Sequence, residues 1–172
     1  MEFSELIKVR ESVRSYDPSR PVSKEVLLKI LDAGRLAPSA ANRQPWKFVV
    51  IASKEMLARV KTCYEKEWFR DAPQILAVVG DESEAWTRRY DQRCFIETDL
   101  AIAMDHLILA ATNEGIGTCW ISNFKPDIAR TTLGLKDNQR VFALTPLGYP
   151  RPDYKKKEAK ERKTLNAVVD WI

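Results

Sequence analysis

One histidine, His106, and three cysteines, Cys63, Cys94 and Cys119, are the only imidazole and thiol groups in this 172-residue chain. A single imidazole excludes a two-histidine metal site. The cysteines are odd in number, far apart and without Cys-x-x-Cys spacing, so neither a structural zinc site nor a disulfide framework is indicated. Reduced thiols point to an intracellular setting. No apolar run approaches the ~20 residues of a membrane span, and Glu2 and Glu5 stand where a signal peptide would have a basic segment. A soluble, cytoplasmic protein with no membrane partner is expected. The Gly-x-Ser-x-Gly elbow and the Walker pattern are both missing. Gly115-x-Gly117 follows a helix and enters a strand, the reverse of a dinucleotide fingerprint, and no third glycine arrives. His106 falls mid-helix and reads as a satisfied interior residue rather than a base. If the chain is an enzyme, a bound organic cofactor has to carry the reaction.

Charge is close to balanced, with 28 Lys and Arg against 24 Asp and Glu, a net of +4. Much of the excess lies between Lys155 and Lys163. Glu158 and Glu161 interrupt that run and no aromatics interleave it, so it reads as a solvated segment or as an anion site using one or two of its cations. A nucleic-acid partner is not expected. The length suits a single domain, 1–172, able to bury a core without staples.

Phe3, Leu6, Ile7 and Arg10 fall at helical spacing and predict an amphipathic first helix. Pro18 and Pro21 then mark a turn. Ser23 is a fair N-cap, Glu25 suits a first turn, and Leu27, Ile30, Leu31 and Gly34 trace one face of a second helix that stops before Pro38. The apolar runs 48–51 and 75–79 predict strands covered on both faces, with mostly helix from Lys54 to Trp68 between them. The segment from Ile96 to Asn113 predicts a helix apolar on nearly every side, which in so small a chain argues for a partner subunit. Thr118 to Ile121 reads as a strand or extended connection, Lys125 to Leu133 as a short helix, and Val141 to Leu147 as a strand. Val168 to Ile172 suits a final strand that pairs outside its own subunit.

Two stretches stand out. Arg10-Glu11-Ser12-Val13-Arg14 puts two guanidiniums and a hydroxyl together where a helix ends. Paired Arg forks suit a phosphate, and salt bridges to Glu11 or Asp17 are the alternative. Pro38-Ser39-Ala40-Ala41-Asn42-Arg43-Gln44-Pro45-Trp46 is a loop of small hydrogen-bonding residues before a strand, compatible with the edge of a polar ring or with turn chemistry alone.

These residues resemble the FMN-dependent nitroreductase family, its short single-domain members above all. The likeness runs in order through Arg-x-Ser-x-Arg, Pro-Ser-Ala-x-Asn-x-Gln-Pro-Trp, an apolar helix bearing Asp99, Gly-Ile-Gly-Thr-x-Trp, Gly-Tyr-Pro and a basic Lys-x-Arg. The resemblance implies an α+β, three-layer fold with a central mixed or antiparallel sheet flanked by helices, in an intertwined homodimer whose segment from about 155 to 172 extends onto the partner. It implies that Arg10, Ser12 and Arg14 contact the FMN phosphate and ribityl chain, with Lys160 and Arg162 adding phosphate contacts. Pro38, Ser39, Ala40, Asn42 and Gln44 would line the flavin from the other subunit or contact its ring. Trp120, Ile121, Ser122 and Asn123 would pass along the isoalloxazine, with a backbone N–H near Ser122 meeting N5. No side chain is expected to be catalytic.

The chain departs from the family at Ala40, which replaces a frequent serine, and at Ser122-Asn123, where some members carry an acidic residue and glycine. An Asn and a Lys of longer members have no counterpart around Glu65 to Arg70, which leaves Arg14 or Arg70 for the pyrimidine end of the ring. The implied activity is NAD(P)H oxidation with ping-pong transfer to nitroaromatic, quinone or similar small acceptors. Dehalogenation, flavin breakdown and non-catalytic flavin binding are the alternatives. Tyr64, Trp68, Phe69, Trp86, Arg89 and Tyr90 are candidates either for the cover over the acceptor or for core packing, and Arg43 either favours anionic acceptors or is an exposed rim residue.

Overall fold

The computed structural model describes residues 1–156 and 160–172. Its elements are α1 (Phe3–Val9), α2 (Lys24–Arg35), β1 (Trp46–Ile51), α3 (Lys54–Val60), α4 (Glu67–Arg70), β2 (Gln74–Asp81), α5 (Ile96–Asn113), α6 (Pro126–Leu133) and β3 (Gln139–Leu147). The strands form one antiparallel sheet in the order β1-β2-β3.

β2 explains the three layers. It is buried from Gln74 through Gly80, and because successive side chains point to opposite faces, it feeds two cores. Leu76 and Val78 join Ile30, Leu100, Met104, Leu107 and Leu147 under α2 and α5. Ile75, Ala77 and Val79 join Leu57, Val60, Phe69, Ala129 and Leu144 under α3 and α6. Each such aliphatic side chain contributes about 1.5–3 kcal/mol when fully buried. The chain is therefore α+β, as expected, with helices on both faces of an antiparallel sheet.

Local signals behave as their chemistry dictates. Ser23 Oγ accepts the Val26 N–H at 3.4 Å, and Ser53 Oγ does the same for Met56 at 3.3 Å, so both hydroxyls cap helices. Gly34 lets α2 lie close on α5, since a Cβ there would sit 2.6 Å from Leu107 Cδ2. Gln74 is the buried polar exception in β2. Its amide accepts from Val22 N at 2.8 Å and donates to Val22 O at 3.1 Å, and so binds the segment before α2 as a strand would.

Two segments are less regular than their composition suggests. The helix from Lys54 ends at Val60, passes through a 3₁₀ turn (Lys61–Cys63) and resumes only as α4. The break lets both Cys63 and Phe69 enter the second core, and Lys61 Nζ ties it by donating to the Arg70 and Ala72 carbonyls at 2.7 and 2.9 Å. At the C-terminus, Val168 to Ile172 forms no strand within its own chain; a 3₁₀ turn at Leu165–Ala167 precedes an irregular end. A strand needs a neighbouring edge, and among the described residues none pairs with this segment. Leu165, Val168 and Trp171 are exposed there, Trp171 at 94%. Among the described residues, no helix is long and apolar enough to cross a membrane.

Candidate functional site

Beyond α1 the backbone is extended at Arg10 (φ −58°, ψ 127°). Ser12 bridges to Thr118 in parallel, and the Val13 N–H donates to the Thr118 carbonyl at 2.8 Å. In extended chain alternate side chains share a face. Val13 is buried against Gly117, with Cβ 3.1 Å from where a Gly117 Cβ would lie. Arg10, Ser12 and Arg14 take the opposite parity. Tyr16, wholly buried, pins this turn by donating its hydroxyl to the Val13 carbonyl at 2.7 Å.

The tail returns to the same place. Lys160 Nζ donates to the Ile7 carbonyl at 2.8 Å. Arg10, Ser12, Arg14, Lys160 and Arg162, with Glu11 and Glu161, line an open cleft of about 530 Å³. Burial, and then the positive charges of Arg10 and Arg162, hold the Lys160 amine below the usual lysine range, while Glu11 opposes them. Like charges gathered in one cleft are relieved by an anion, so the cleft suits a phosphate. Arg14 lies 5.9 Å over the Trp68 ring, a cation–π contact that orients it. Asp17, the suggested salt-bridge partner, accepts instead from Ser19 N–H and Oγ at 2.9 and 2.6 Å. Residues 157–159, within the basic run of the tail, lie outside the described residues.

Trp120 to Asn123 continues from this cleft along β3. Ile121 is buried and exchanges backbone hydrogen bonds with Leu144 at 2.9 and 3.0 Å. Trp120 packs edge-on against Phe142 at 5.7 Å, and its Nε1 donates to Ser122 Oγ at 2.9 Å. Ser122 and Asn123 are exposed.

The Pro38–Gln44 loop is elsewhere. Its Ala40 N–H donates to Asp99 Oδ1 at 2.9 Å, in the first part of α5, whereas residues 9–13 gather around Thr112 and Gly115 at the other end of that helix. From Asp99 to Thr112 is thirteen residues, about 20 Å at 1.5 Å each. Inside the loop, Ser39 Oγ accepts the Gln44 N–H at 2.9 Å, and the Gln44 amide donates to Asn42 O and Oδ1 at 3.3 and 3.1 Å. Ala41, Asn42 and Gln44 have φ of 51°, 54° and 51°, a left-handed conformation that costs non-glycine residues about 1–2 kcal/mol each. One chain thus unites Arg10, Ser12, Arg14, Lys160, Arg162 and the start of the Trp120–Asn123 segment, and holds Pro38, Ser39, Ala40, Asn42 and Gln44 apart from them.

The model of the Nitroreductase family matches residues 7–62 and 55–149. The chain belongs to the nitroreductase family. A nitroreductase family protein from Clostridium difficile 630 superposes with a TM-score of 0.91 at 36% identity, covering 99% of this chain and 98% of that one. A relative from Archaeoglobus fulgidus, provisionally named an NADH dehydrogenase/NAD(P)H nitroreductase, is 32% identical over 94% of this chain and 92% of its own. An FMN-dependent nitroreductase from Clostridium difficile R20291 superposes with a TM-score of 0.80 at 27% identity, covering 96% of each chain. These likenesses place this nitroreductase-family chain among oxidoreductases.

From sequence, Asp99 carried no role in the site and Trp68 stood only as a candidate for the acceptor cover or for core packing, not as a partner of Arg14. An aspartate beside Leu100 on a largely apolar helix was the available signal for the first, because a buried carboxylate requires partners. Trp68 could not be linked to Arg14 across fifty-odd positions. Of the cover candidates, Phe69 is core and Tyr64 and Trp68 pack upon it. Trp86 lies against Phe95 at 5.5 Å, while Arg89 and Tyr90 are exposed and stacked on each other at 4.7 Å. Arg43 is exposed in its loop. His106 is half-buried, and with Ile102 and Phe142 it lines an open groove of about 640 Å³ along α5 rather than lying inside a sealed core.

Proposed function

We propose that this nitroreductase-family protein is a homodimer that holds FMN between its subunits and passes electrons from NADH or NADPH to nitroaromatic, quinone or similar small acceptors. One observation carries the reading: the cationic cleft and the polar loop occupy opposite ends of α5. A cofactor that is anionic at one end and a hydrogen-bonding ring at the other is served by the arginine end of one subunit and the loop of the second.

The residues fit that cofactor. Arg10, Ser12 and Arg14, with Lys160 and Arg162, hold the phosphate and ribityl chain. Pro38, Ser39, Ala40, Asn42 and Gln44 of the second subunit meet the ring edge. Trp120, Ile121, Ser122 and Asn123 line the ring, and the backbone N–H near Ser122 is its donor. When bound, FMN supplies the two-electron chemistry. The chain's own share is binding, orientation and electrostatics, and no side-chain base is required. A single space used in turn by donor and acceptor gives ping-pong kinetics.

Dimerisation is supported by the exposed apolar tail at Leu165, Val168 and Trp171 and by the open α5 groove. In this reading residues 1–172 are one domain; Lys160 and Arg162 stay on their own chain's cleft, so of the segment from about 155 it is the part beyond them, with Leu165, Val168 and Trp171, that lies on the partner. The visible spectrum of purified protein, before and after anaerobic NADH or NADPH, tests the whole. Yellow that bleaches is expected; colourless protein that takes up no FMN would end the proposal.

A further inference from the structure

Asp99 is 2% exposed, on a helix whose other buried positions are Leu100, Ala103, Met104, Leu107, Ile108 and Ala111. Its Oδ1 accepts the Ala40 N–H at 2.9 Å. Its Oδ2 is buried and has no hydrogen-bond partner among the described residues. An unpartnered buried carboxylate oxygen destabilises a fold, and an apolar side chain of similar size is often better tolerated. The Asp99 bond reaches a loop with three non-glycine residues in left-handed backbone, Ala41, Asn42 and Gln44. Such conformations persist only where the surroundings hold them. The Ser39–Gln44 and Gln44–Asn42 bonds are internal to the loop, whereas Asp99 ties it to a long, packed helix.

We propose that Asp99 is a positioning residue: its carboxylate locks the Pro38–Gln44 loop in its left-handed shape, presetting Asn42 and Gln44 for the ring edge, and it does so at the expense of global stability. The presetting rests on the FMN reading above; the lock does not.

Arg43 is exposed at the centre of the loop and supplies a tryptic bond that reports loop opening, since cleavage tracks the open population when closing is fast. Purified full-length protein is digested with and without FMN, with cleavage after Lys136, exposed between α6 and β3, as internal reference. Asp99→Leu fills the same space without an acceptor. It is expected to speed cleavage after Arg43 by about ten- to a hundredfold, the loss of one charge-assisted hydrogen bond, while Tm stays level or rises. Asp99→Asn keeps an oxygen for Ala40 without the charge and is expected to recover most of the protection and FMN affinity that Asp99→Leu loses; no recovery would count against the hydrogen bond as the lock.

Wild-type protection of Arg43 in a natively folded Asp99→Leu protein overturns the lock. Should that variant not fold, Asp99→Ala carries the same comparison, and amide exchange at Ala40 in the wild type reads the bond directly. Fast exchange there overturns it as well. If the wild type binds no FMN, the flavin reading falls while Arg43 still decides the lock. If FMN binds and its affinity ignores Asp99→Leu although Arg43 opens, the presetting is wrong.

Discussion

Replacing Arg10 by alanine separates a phosphate site from a merely basic surface. Arg10 lines the cleft with Ser12, Arg14, Lys160 and Arg162, and a charge-assisted hydrogen bond from a guanidinium contributes about 1.5–3 kcal/mol. FMN affinity should therefore fall about ten- to a hundredfold. The neighbours set where in that range the result lies. Arg14, Lys160 and Arg162 remain in the cleft when Arg10 is removed, so part of the cluster's charge survives. The lower half of the range is expected at moderate salt, with a smaller effect at high salt because the cleft is open to solvent. The assay is fluorescence titration of apoprotein with FMN and, in parallel, with riboflavin, which shares the ring and lacks the phosphate. Arg10→Ala should weaken FMN and leave riboflavin nearly unchanged. Equal weakening of both, or an unchanged FMN affinity, would refute the assignment of this cleft to phosphate.

Other outcomes follow from the same geometry. Lys160 holds its proton less firmly than the ordinary lysine value of 10.5, so FMN affinity should decline as pH rises through that lowered pKa. Lys160→Met should abolish this limb in a titration series. In apoprotein the sign is opposite: between the lowered folded pKa and 10.5 the unfolded chain binds more protons, so the Lys160 contribution to stability rises with pH. Cys94 is exposed, whereas Cys63, whose pKa burial pushes up to about 11, and Cys119 are buried. One thiol should react quickly with a chromogenic disulfide in native protein and two more only after denaturation; three fast thiols would contradict the core assignment. Gly34→Val drives a side chain into Leu107 and should cost about 1–3 kcal/mol by overpacking, read as a lower Tm. Ending the chain before Val168 should loosen the dimer, and a truncated protein that still sediments as a tight dimer would remove the exchanged tail.

Periodicity was a good guide wherever local chemistry and burial agree. Ile96 to Asn113 is a helix at the expected residues because its apolar spacing coincides with packing from the sheet and α2. The strands at 46–51 and 74–81 were legible for the same reason. The segment from Lys54 to Trp68 is mostly helix, as its composition suggests, but the break within it answers to the burial of Cys63 and Phe69 on one core, a demand that lies outside any local window. Val168 to Ile172 has strand composition and no strand within its own chain, since composition supplies the residues of an edge and not its partner. The Asp99–Ala40 bond joins positions fifty-nine apart, and no spacing rule reaches that far.

From its residues alone the chain determined its chemistry: too few acids, bases and nucleophiles in the right patterns for unaided catalysis, paired arginines beside a helix end, and a small polar loop before a strand. Those are properties of short segments, where side-chain type and two or three backbone angles decide the outcome. Folding decided the distances. It drew Lys160 and Arg162 onto Arg10, Ser12 and Arg14, and set the polar loop at the far end of an eighteen-residue helix. Long-range packing fixes which distant segments meet, because only burial of both sheet faces selects one arrangement of the helices, and that arrangement separates the two halves of the proposed site.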